Sequence, residues 1–159
     1  MYYLTMIIPV FNSDDCLDVA VNSVINQTIG FENIELIIVD DCSTDNTRDM
    51  IKDYEEKYPN IKGIFLHKNN GGAGIPRNIG IKDASSKYLM FMDADDEYEK
   101  DACEIFYNKI VKRETGFRDY NDYNIIQDKD VILWQSVLSR DRRSNSFWTK
   151  ISFMLSAPF

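Results

Sequence analysis

The stretch IELIIVDDCSTDNT, residues 34–47, holds a strand, two acids and a helix start in direct succession. Its first six residues are almost all apolar, which is typical of a strand buried on both faces of a parallel sheet. The apolar run ends at Asp40 and Asp41, and Thr44 or Asp45 then stands where a side chain caps the first turn of a helix. This order of features indicates an α/β fold.

The same alternation extends to both sides of this stretch. Apolar runs predict the strands, and apolar residues at helical spacing predict the helices. The predicted strands are residues 4–10, 34–39, 61–67 and 88–92, and the predicted helices are residues 14–28, 45–58, 76–84 and 102–112. Ser13 is placed to cap the first helix, and Ile105, Phe106 and Ile110 form the expected buried face of the last. Such an order implies right-handed crossovers and a mostly parallel sheet with helices on both faces.

Polar or aromatic clusters follow all four predicted strands. They are residues 11–12, 40–41, 69–74 and 93–96. Parallel strands end at the same edge of a sheet, and open α/β folds bind their ligands at that carboxyl edge. We therefore expect these four clusters to form one binding site.

The segment Asp93-Ala94-Asp95-Asp96 brings several carboxylates together. Two unit charges about 5 Å apart repel by roughly 3 kcal/mol at an effective dielectric near 20, so the segment needs compensation. Mg²⁺ or Mn²⁺ supplies it, because such cations take one or two carboxylates together with substrate phosphate oxygens. A solvated acidic turn that caps the next helix is the alternative for an isolated D-x-D sequence.

The other clusters carry groups that suit a nucleotide. Asp40 and Asp41 offer carboxylates that accept the imide N–H of a pyrimidine base or a ribose hydroxyl, and Phe11 offers a ring for the base to stack on. Arg77 follows the glycine-rich loop, where backbone amides and a guanidinium meet phosphate oxygens. Taken singly, each has a structural alternative: a helix cap, a core aromatic or a surface arginine.

Composition narrows the classes of function. The 159 residues suit one domain, and 18 basic against 26 acidic residues, a net charge of −8, argue against a nucleic-acid partner. The three cysteines and single histidine show no zinc-site spacing, so we expect reduced, buried thiols. No stretch reaches the roughly 20 apolar residues of a membrane span. These features predict a cytoplasmic protein.

Four motifs, taken in order, resemble the family 2 glycosyltransferases of the GT-A fold. They are IPVFN at residues 8–12, VDDCSTDNT at residues 39–47, NGG at residues 70–72 followed by RNIG at residues 77–80, and MDADD at residues 92–96. Cys42 stands where the family most often has glycine, and Pro76 where it most often has alanine. Both positions lie on a loop or a helix start that tolerates the change.

The resemblance implies a hexosyltransferase-like enzyme. Such an enzyme moves a sugar, with inversion, from a nucleoside diphosphate donor, usually UDP-linked, to an acceptor hydroxyl, and Mn²⁺ or Mg²⁺ acts as a Lewis acid on the leaving diphosphate. In this family Phe11 packs on the base, Asp41 reads it with Asp40 beside it, and Arg77 lines the pocket. The full nucleotide-binding set implied by the resemblance is Pro9, Phe11, Asn12, Asp40, Asp41, Gly72, Arg77, Asp93 and Ala94, and the implied metal ligands are Asp95 and Asp93.

The resemblance leaves the catalytic base open. Inversion needs a carboxylate that takes the acceptor's proton, but the later acids are scattered outside any recognisable motif. We expect residues 1–112 to form the donor-binding core and residues 113–159 to begin an incomplete acceptor-binding half. The alternative is a non-catalytic nucleotide-binding module, or a truncated fragment, that binds UDP without transfer.

Two other classes of α/β protein lack their defining residues in this chain. A phosphoacceptor signalling domain needs its acid pair after the first strand, where this chain has Phe11 and Asn12, and a sugar nucleotidyltransferase needs a glycine- and arginine-rich loop there.

A glycan or lipid-linked acceptor in bacterial surface polysaccharide synthesis is the expectation from the family. The apolar residues 147–159, which follow three arginines, either touch the inner face of a membrane or pack on a missing remainder of the domain.

Overall fold

The computed structural model describes residues 1–114 and confirms the α/β fold. Its strands are β1 (Leu4–Val10), β2 (Ile34–Asp40), β3 (Ile61–Phe65) and β4 (Leu89–Phe91), and its α-helices are α1 (Leu17–Ile25), α2 (Thr47–Lys57), α3 (Gly74–Asp83) and α4 (Ala102–Glu114). A short 3₁₀ turn, Phe31–Asn33, precedes β2. The strands form one parallel sheet in the order β3-β2-β1-β4.

Strand β1 lies at the centre of the sheet. All seven of its residues are buried, which explains the nearly continuous apolar run. Its last residue, Val10, lies opposite Asp40 of β2, and Asp40 lies opposite Phe65 of β3. The ends of these three strands are therefore level, and the segments that follow them begin at the same edge.

The two faces of the sheet carry different layers. Met6 and Ile8 point to the face covered by α1, α2 and α4, whereas Ile7 points to the face covered by α3. The chain changes direction across the sheet after β3, because β4 pairs with β1 and not with β3. This reversal places a topological switch point between β1 and β4, the position where open α/β sheets bind ligands.

Helix α3 packs unusually close to the sheet at Gly80. A Cβ atom at this position would lie 2.6 Å from Cγ2 of Ile7, closer than two carbon atoms can approach. The glycine therefore fixes how near α3 stands to β1.

The start of α1 corrects one prediction. The helix begins at Leu17 and not at Asp14, because the backbone N–H groups of Cys16 and Leu17 both donate to the carbonyl of Ser13 and form a turn first. The Ser13 hydroxyl donates to the carbonyl of Phe11 and does not cap the helix.

The buried face of α4 corrects another. Phe106 and Ile110 are buried as predicted, but Ile105 is 45% exposed. The buried stripe runs through Ala102 and Cys103 to Phe106 and Ile110, and at 100° per residue Ile105 lies well to one side of it. The predictions for residues 115–159, including a strand at 131–138, lie outside the described residues.

Candidate functional site

A cavity of about 380 Å³ opens at the carboxyl edge of the sheet. It lies between the ends of β1 and β2 and the loop before α3. Its lining residues are Pro9, Val10, Phe11, Asp41, Asn69, Gly71, Gly72, Ala73 and Pro76. Three of the four segments that sequence reasoning assigned to one site therefore meet around this cavity.

The segment after β1 provides an open aromatic ring. Phe11 is 47% exposed although it follows a fully buried strand. The next residue, Asn12, has a φ of 48°, and its backbone N–H donates to Oγ of Ser43 at 2.9 Å. Its side-chain Oδ1 accepts the N–H of Thr44 at 2.8 Å. Asn12 thus ties the loop after β1 to the loop after β2 and fixes the place of the ring.

The first acid after β2 faces the protein interior. Asp40 is completely buried and lies outside the cavity lining. Its Oδ1 accepts the N–H of Ser43 at 3.0 Å, and its Oδ2 lies 2.8 Å from Nε of Arg48. This contact lacks the direction of a hydrogen bond, so it acts through charge. Arg48 also donates to the carbonyl of Leu66 and lies over the ring of Phe65. Asp40 therefore joins the ends of β2 and β3.

The second acid after β2 faces the cavity. Asp41 is only 4% exposed, yet it belongs to the cavity lining. Its Oδ2 accepts the backbone N–H of Asn70 at 2.9 Å, and its Oδ1 accepts the side-chain amide of the same residue at 2.6 Å. One asparagine thus holds both oxygens of a nearly buried carboxylate.

The loop between β3 and α3 forms the opposite wall. Gly71 has a φ of 76°, and its N–H donates to Oδ1 of Asn69 at 2.6 Å. Cβ atoms built on Gly71, Gly72 and Gly74 would meet no atom within 4 Å, so open space lies in front of the loop. The first turn of α3 stands behind it, with its positive dipole end towards the cavity. This wall suits an anion.

Arg77 and the acidic segment lie together beside this wall. The Arg77 guanidinium pairs with Oδ1 of Asp93 and is mostly buried, with 16% of its side chain exposed. Ala94 is buried and packs in the core. Asp96 N–H donates to the Asp93 carbonyl at 3.1 Å and closes a turn, which leaves Asp95 exposed.

The acidic turn fits the metal expected from the sequence only with help from a ligand. In residues 1–114 no group of three His, Cys, Asp or Glu side chains stands close enough together to hold a metal ion. Asp93 and Asp95 are two carboxylates on one turn, which is the number that Mg²⁺ or Mn²⁺ takes from protein when phosphate oxygens and water complete the shell. The donor set therefore suits a cation that arrives with a phosphorylated ligand.

Sequence reasoning missed the buried polar groups behind this turn. The Tyr98 hydroxyl donates to the carbonyl of Phe91 at 2.6 Å, and burial raises the pKa of Tyr98 far above its usual range, which keeps this donor protonated. Gln27 donates to the carbonyl of Glu99 and accepts the N–H of Cys103, each at 2.8 Å. Tyr98 lies outside the predicted helices and strands and Gln27 lies near the end of one, so apolar periodicity marked neither residue as buried.

Among the described residues, no helix is long and apolar enough to cross a membrane. The described cysteines form no disulfide; Cys103 is buried as expected from the sequence, whereas Cys16 and Cys42 are partly exposed. Burial raises the pKa of Cys103 to about 12, so this thiol stays protonated and unreactive near neutral pH.

Comparison with known proteins gives consistent results. The family described as "Glycosyl transferase family 2" matches residues 5–157. The poly(ribitol-phosphate) beta-glucosyltransferase of Bacillus spizizenii is 41% identical over 105 residues, which are 66% of this chain and 17% of that protein.

Solved structures give the same picture. S. aureus TarS 1-349 in complex with UDP superposes with a TM-score of 0.66 and 32% identity, over 72% of this chain and 33% of that one. Its complex with UDP-GlcNAc gives the same TM-score and identity, over 72% of this chain and 32% of that one. These neighbours have the GT-A fold that the sequence predicted. The chain spans a third or less of the length of each protein compared here.

Proposed function

The chain belongs to glycosyl transferase family 2, and from this premise we propose that it binds a UDP-sugar and provides the donor site for transfer of the sugar to an acceptor hydroxyl. One observation carries the proposal: Phe11, Asp41 and the glycine loop line a single cavity at the carboxyl edge of the sheet. The UDP and UDP-GlcNAc complexes of the similar TarS structure support this choice of ligand.

The base lies at the Phe11 end of the cavity. The exposed ring stacks on the face of the base, and the Asp41 carboxylate accepts the imide N–H of uracil. Pro9 also lines the cavity. Asn12 and Asp40 act from outside the cavity, because their side chains hold the loops in place.

The diphosphate lies along the other wall. Gly72 and the first turn of α3 present backbone to it at close range, and Arg77 adds a positive charge beside Asp93. Asp95 is the exposed metal ligand, and Asp93 is the second ligand on the same turn. Ala94 lies between them and is buried, which fixes the orientation of the turn. A bound Mn²⁺ or Mg²⁺ would act as a Lewis acid that stabilises the leaving diphosphate.

The acceptor side of the reaction is proposed at the level of a chain segment and a class of acceptor. Inversion at the anomeric carbon needs a general base within hydrogen-bond reach of the acceptor hydroxyl, and we assign none. We propose that residues 113–159 begin the acceptor-binding half and that the acceptor is a cell-surface glycan or a lipid-linked polymer. The poly(ribitol-phosphate) transferase named above supports this acceptor class.

A second candidate is a nucleotide-binding module that binds UDP without transfer. The observation that favours it is the position of every proposed ligand contact within residues 9–95, all of them on the donor side. Incubation with UDP-glucose or UDP-GlcNAc, Mn²⁺ and poly(ribitol-phosphate) separates the two candidates, because only the transferase releases UDP in step with glycosylation of the polymer.

Calorimetric titration of UDP with and without Mn²⁺ tests the donor site itself. We expect binding that strengthens with Mn²⁺ and loses that gain in Asp95→Ala, since the exposed carboxylate holds the cation. Asp53→Ala is the matched control, because Asp53 is an exposed acid on α2 outside the cavity. An absence of UDP binding by the unaltered chain under both conditions would refute the proposal.

A further inference from the structure

Asn70 holds the Asp41 carboxylate at two points. Its backbone N–H donates to one carboxylate oxygen at 2.9 Å, and its side-chain Nδ2 donates to the other at 2.6 Å. Nδ2 also donates to the carbonyl of Lys68 at 3.1 Å. Because both acceptors face the NH₂ end of the amide, both of its hydrogens are used, and the amide cannot turn without losing two hydrogen bonds.

The Asp41 carboxylate consequently has one fixed orientation. Each carboxylate oxygen has about two lone-pair positions, of which Asn70 fills one on each. Asp41 is only 4% exposed but lines the cavity, so a ligand in the cavity can approach a remaining position. An aspartate without this support would turn about its last side-chain torsion and present its oxygens at other angles.

We propose that Asn70 is the positioning residue that sets the base preference of the cavity, because it holds Asp41 as a fixed acceptor for an imide N–H. This inference rests on the proposed UDP site and adds the residue on which its selectivity depends. Uracil carries a hydrogen on N3, whereas cytosine carries a lone pair there. A fixed carboxylate therefore accepts a hydrogen bond from uracil and repels cytosine.

The location of Asn70 adds a second constraint. It stands at the head of the glycine loop, so its bonds to Asp41 join the two walls of the cavity across 29 positions of sequence. From behind, Arg48 links Asp40 to the carbonyl of Leu66 at the start of the same connection. The base-reading acid is thus held by the wall that is proposed to carry the diphosphate.

Competition between UDP and CDP measures this role. In Asn70→Ala we expect UDP affinity to fall about tenfold, the effect of losing a hydrogen bond to a charged group, while CDP affinity changes much less. The UDP-to-CDP affinity ratio should therefore fall about tenfold. Asn22→Ala is the matched control, since Asn22 is exposed on α1, its side chain donates to the Asp18 carbonyl, and it lies outside the cavity lining.

A variant of nearly identical shape keeps the test independent of folding. Asn70→Asp preserves the size of the side chain and the backbone donor but sets a second carboxylate against Asp41. We expect a larger loss of UDP-to-CDP selectivity than in Asn70→Ala. A purely structural role for Asn70 would lower the melting temperature of both variants and leave the affinity ratio unchanged.

Asp41→Ala separates failure of this inference from failure of the donor site. If Asp41→Ala loses selectivity for UDP while both Asn70 variants keep it, the positioning role is overturned and the donor site stands. If the unaltered chain binds neither nucleotide, the donor site and the positioning role fall together.

Discussion

Asp40 and Asp41 follow β2 while Asp93 and Asp95 follow β4, and the two pairs of acids lie in opposite surroundings. The first pair is buried and satisfied by the protein: Asp40 by Arg48 and Ser43, Asp41 by Asn70. In the second pair Asp93 is half-buried and pairs with the Arg77 guanidinium, whereas Asp95 is exposed.

This difference indicates which role each pair of acids suits. A carboxylate held by a hydrogen bond at each oxygen presents one acceptor geometry and suits the recognition of a hydrogen-bond donor. Carboxylates on an exposed turn keep room for water, metal and phosphate and suit a site that is completed only when its ligand arrives. The two acid pairs therefore suit the two roles proposed for them, rigid recognition of the base after β2 and charge neutralisation with a metal after β4.

The largest expected effect comes from breaking the buried ion pair between Asp40 and Arg48. Asp40→Asn removes the charge that compensates Arg48, and because Asp40 is fully buried while Arg48 retains some solvent contact, we expect the free energy of unfolding to fall by about 2–3 kcal/mol. Urea denaturation monitored by circular dichroism measures it. A fall of less than about 0.5 kcal/mol would mean that the ion pair contributes little.

The next effect concerns binding and not stability. Asp41→Asn keeps the shape but replaces one acceptor oxygen with a donor, so UDP affinity should fall about 30-fold, as expected for an unpaired imide N–H against an unsuitable partner. We expect the loss to be the same with and without Mn²⁺, since Asp41 is assigned to the base. Calorimetry in both buffers measures it, and a loss confined to the Mn²⁺ buffer would move Asp41 to the metal site.

A smaller effect tests the support behind the acidic turn. Tyr98→Phe removes the hydrogen bond to the Phe91 carbonyl and leaves a buried acceptor unsatisfied, so we expect the unfolding free energy to fall by about 1 kcal/mol. If this bond also shapes the turn that follows β4, Mn²⁺ should strengthen UDP binding less than in the unaltered chain. Tyr58→Phe is the control, because Tyr58 contributes ring contacts elsewhere on the fold.

The smallest effect on stability is expected at Asp93. Asp93→Asn makes the same chemical change as Asp40→Asn, but the acid is partly exposed, so the unfolding free energy should change by less than about 1 kcal/mol. Urea denaturation of the two variants side by side gives the comparison directly. Equal losses in both would contradict the contrast between the two acid pairs.

The sequence predicted the parts of the fold that depend on local pattern. The bounds of β1 were predicted to the residue because a strand buried on both faces is apolar throughout. The convergence of Phe11, Asp41 and Gly72 followed from the parallel order of the strands. Boundaries set by backbone hydrogen bonds, such as the turn at Ser13, were missed because several residues nearby are equally suited to begin a helix.

Pairings between distant side chains were also beyond the sequence. Asp40 and Asp41 are adjacent acids with the same local signal, and only the three-dimensional structure shows that Arg48 takes one while Asn70 takes the other. From the sequence alone, Asn70 is an ordinary turn residue before two glycines. Its contact with Asp41 spans 29 positions, a distance over which residue type alone does not specify a partner.

The close approach of Gly80 to Ile7 has a consequence far from the contact itself. Helix α3 reaches from this point, on the back of the sheet, to the rim where its first turn helps to line the cavity. Any side chain larger than hydrogen at Gly80 would push α3 away from β1. The glycine loop at the N-terminal end of the helix would then shift as well. Gly80 lies outside the cavity lining, so a substitution there should change the width of the cleft while every lining residue keeps its identity.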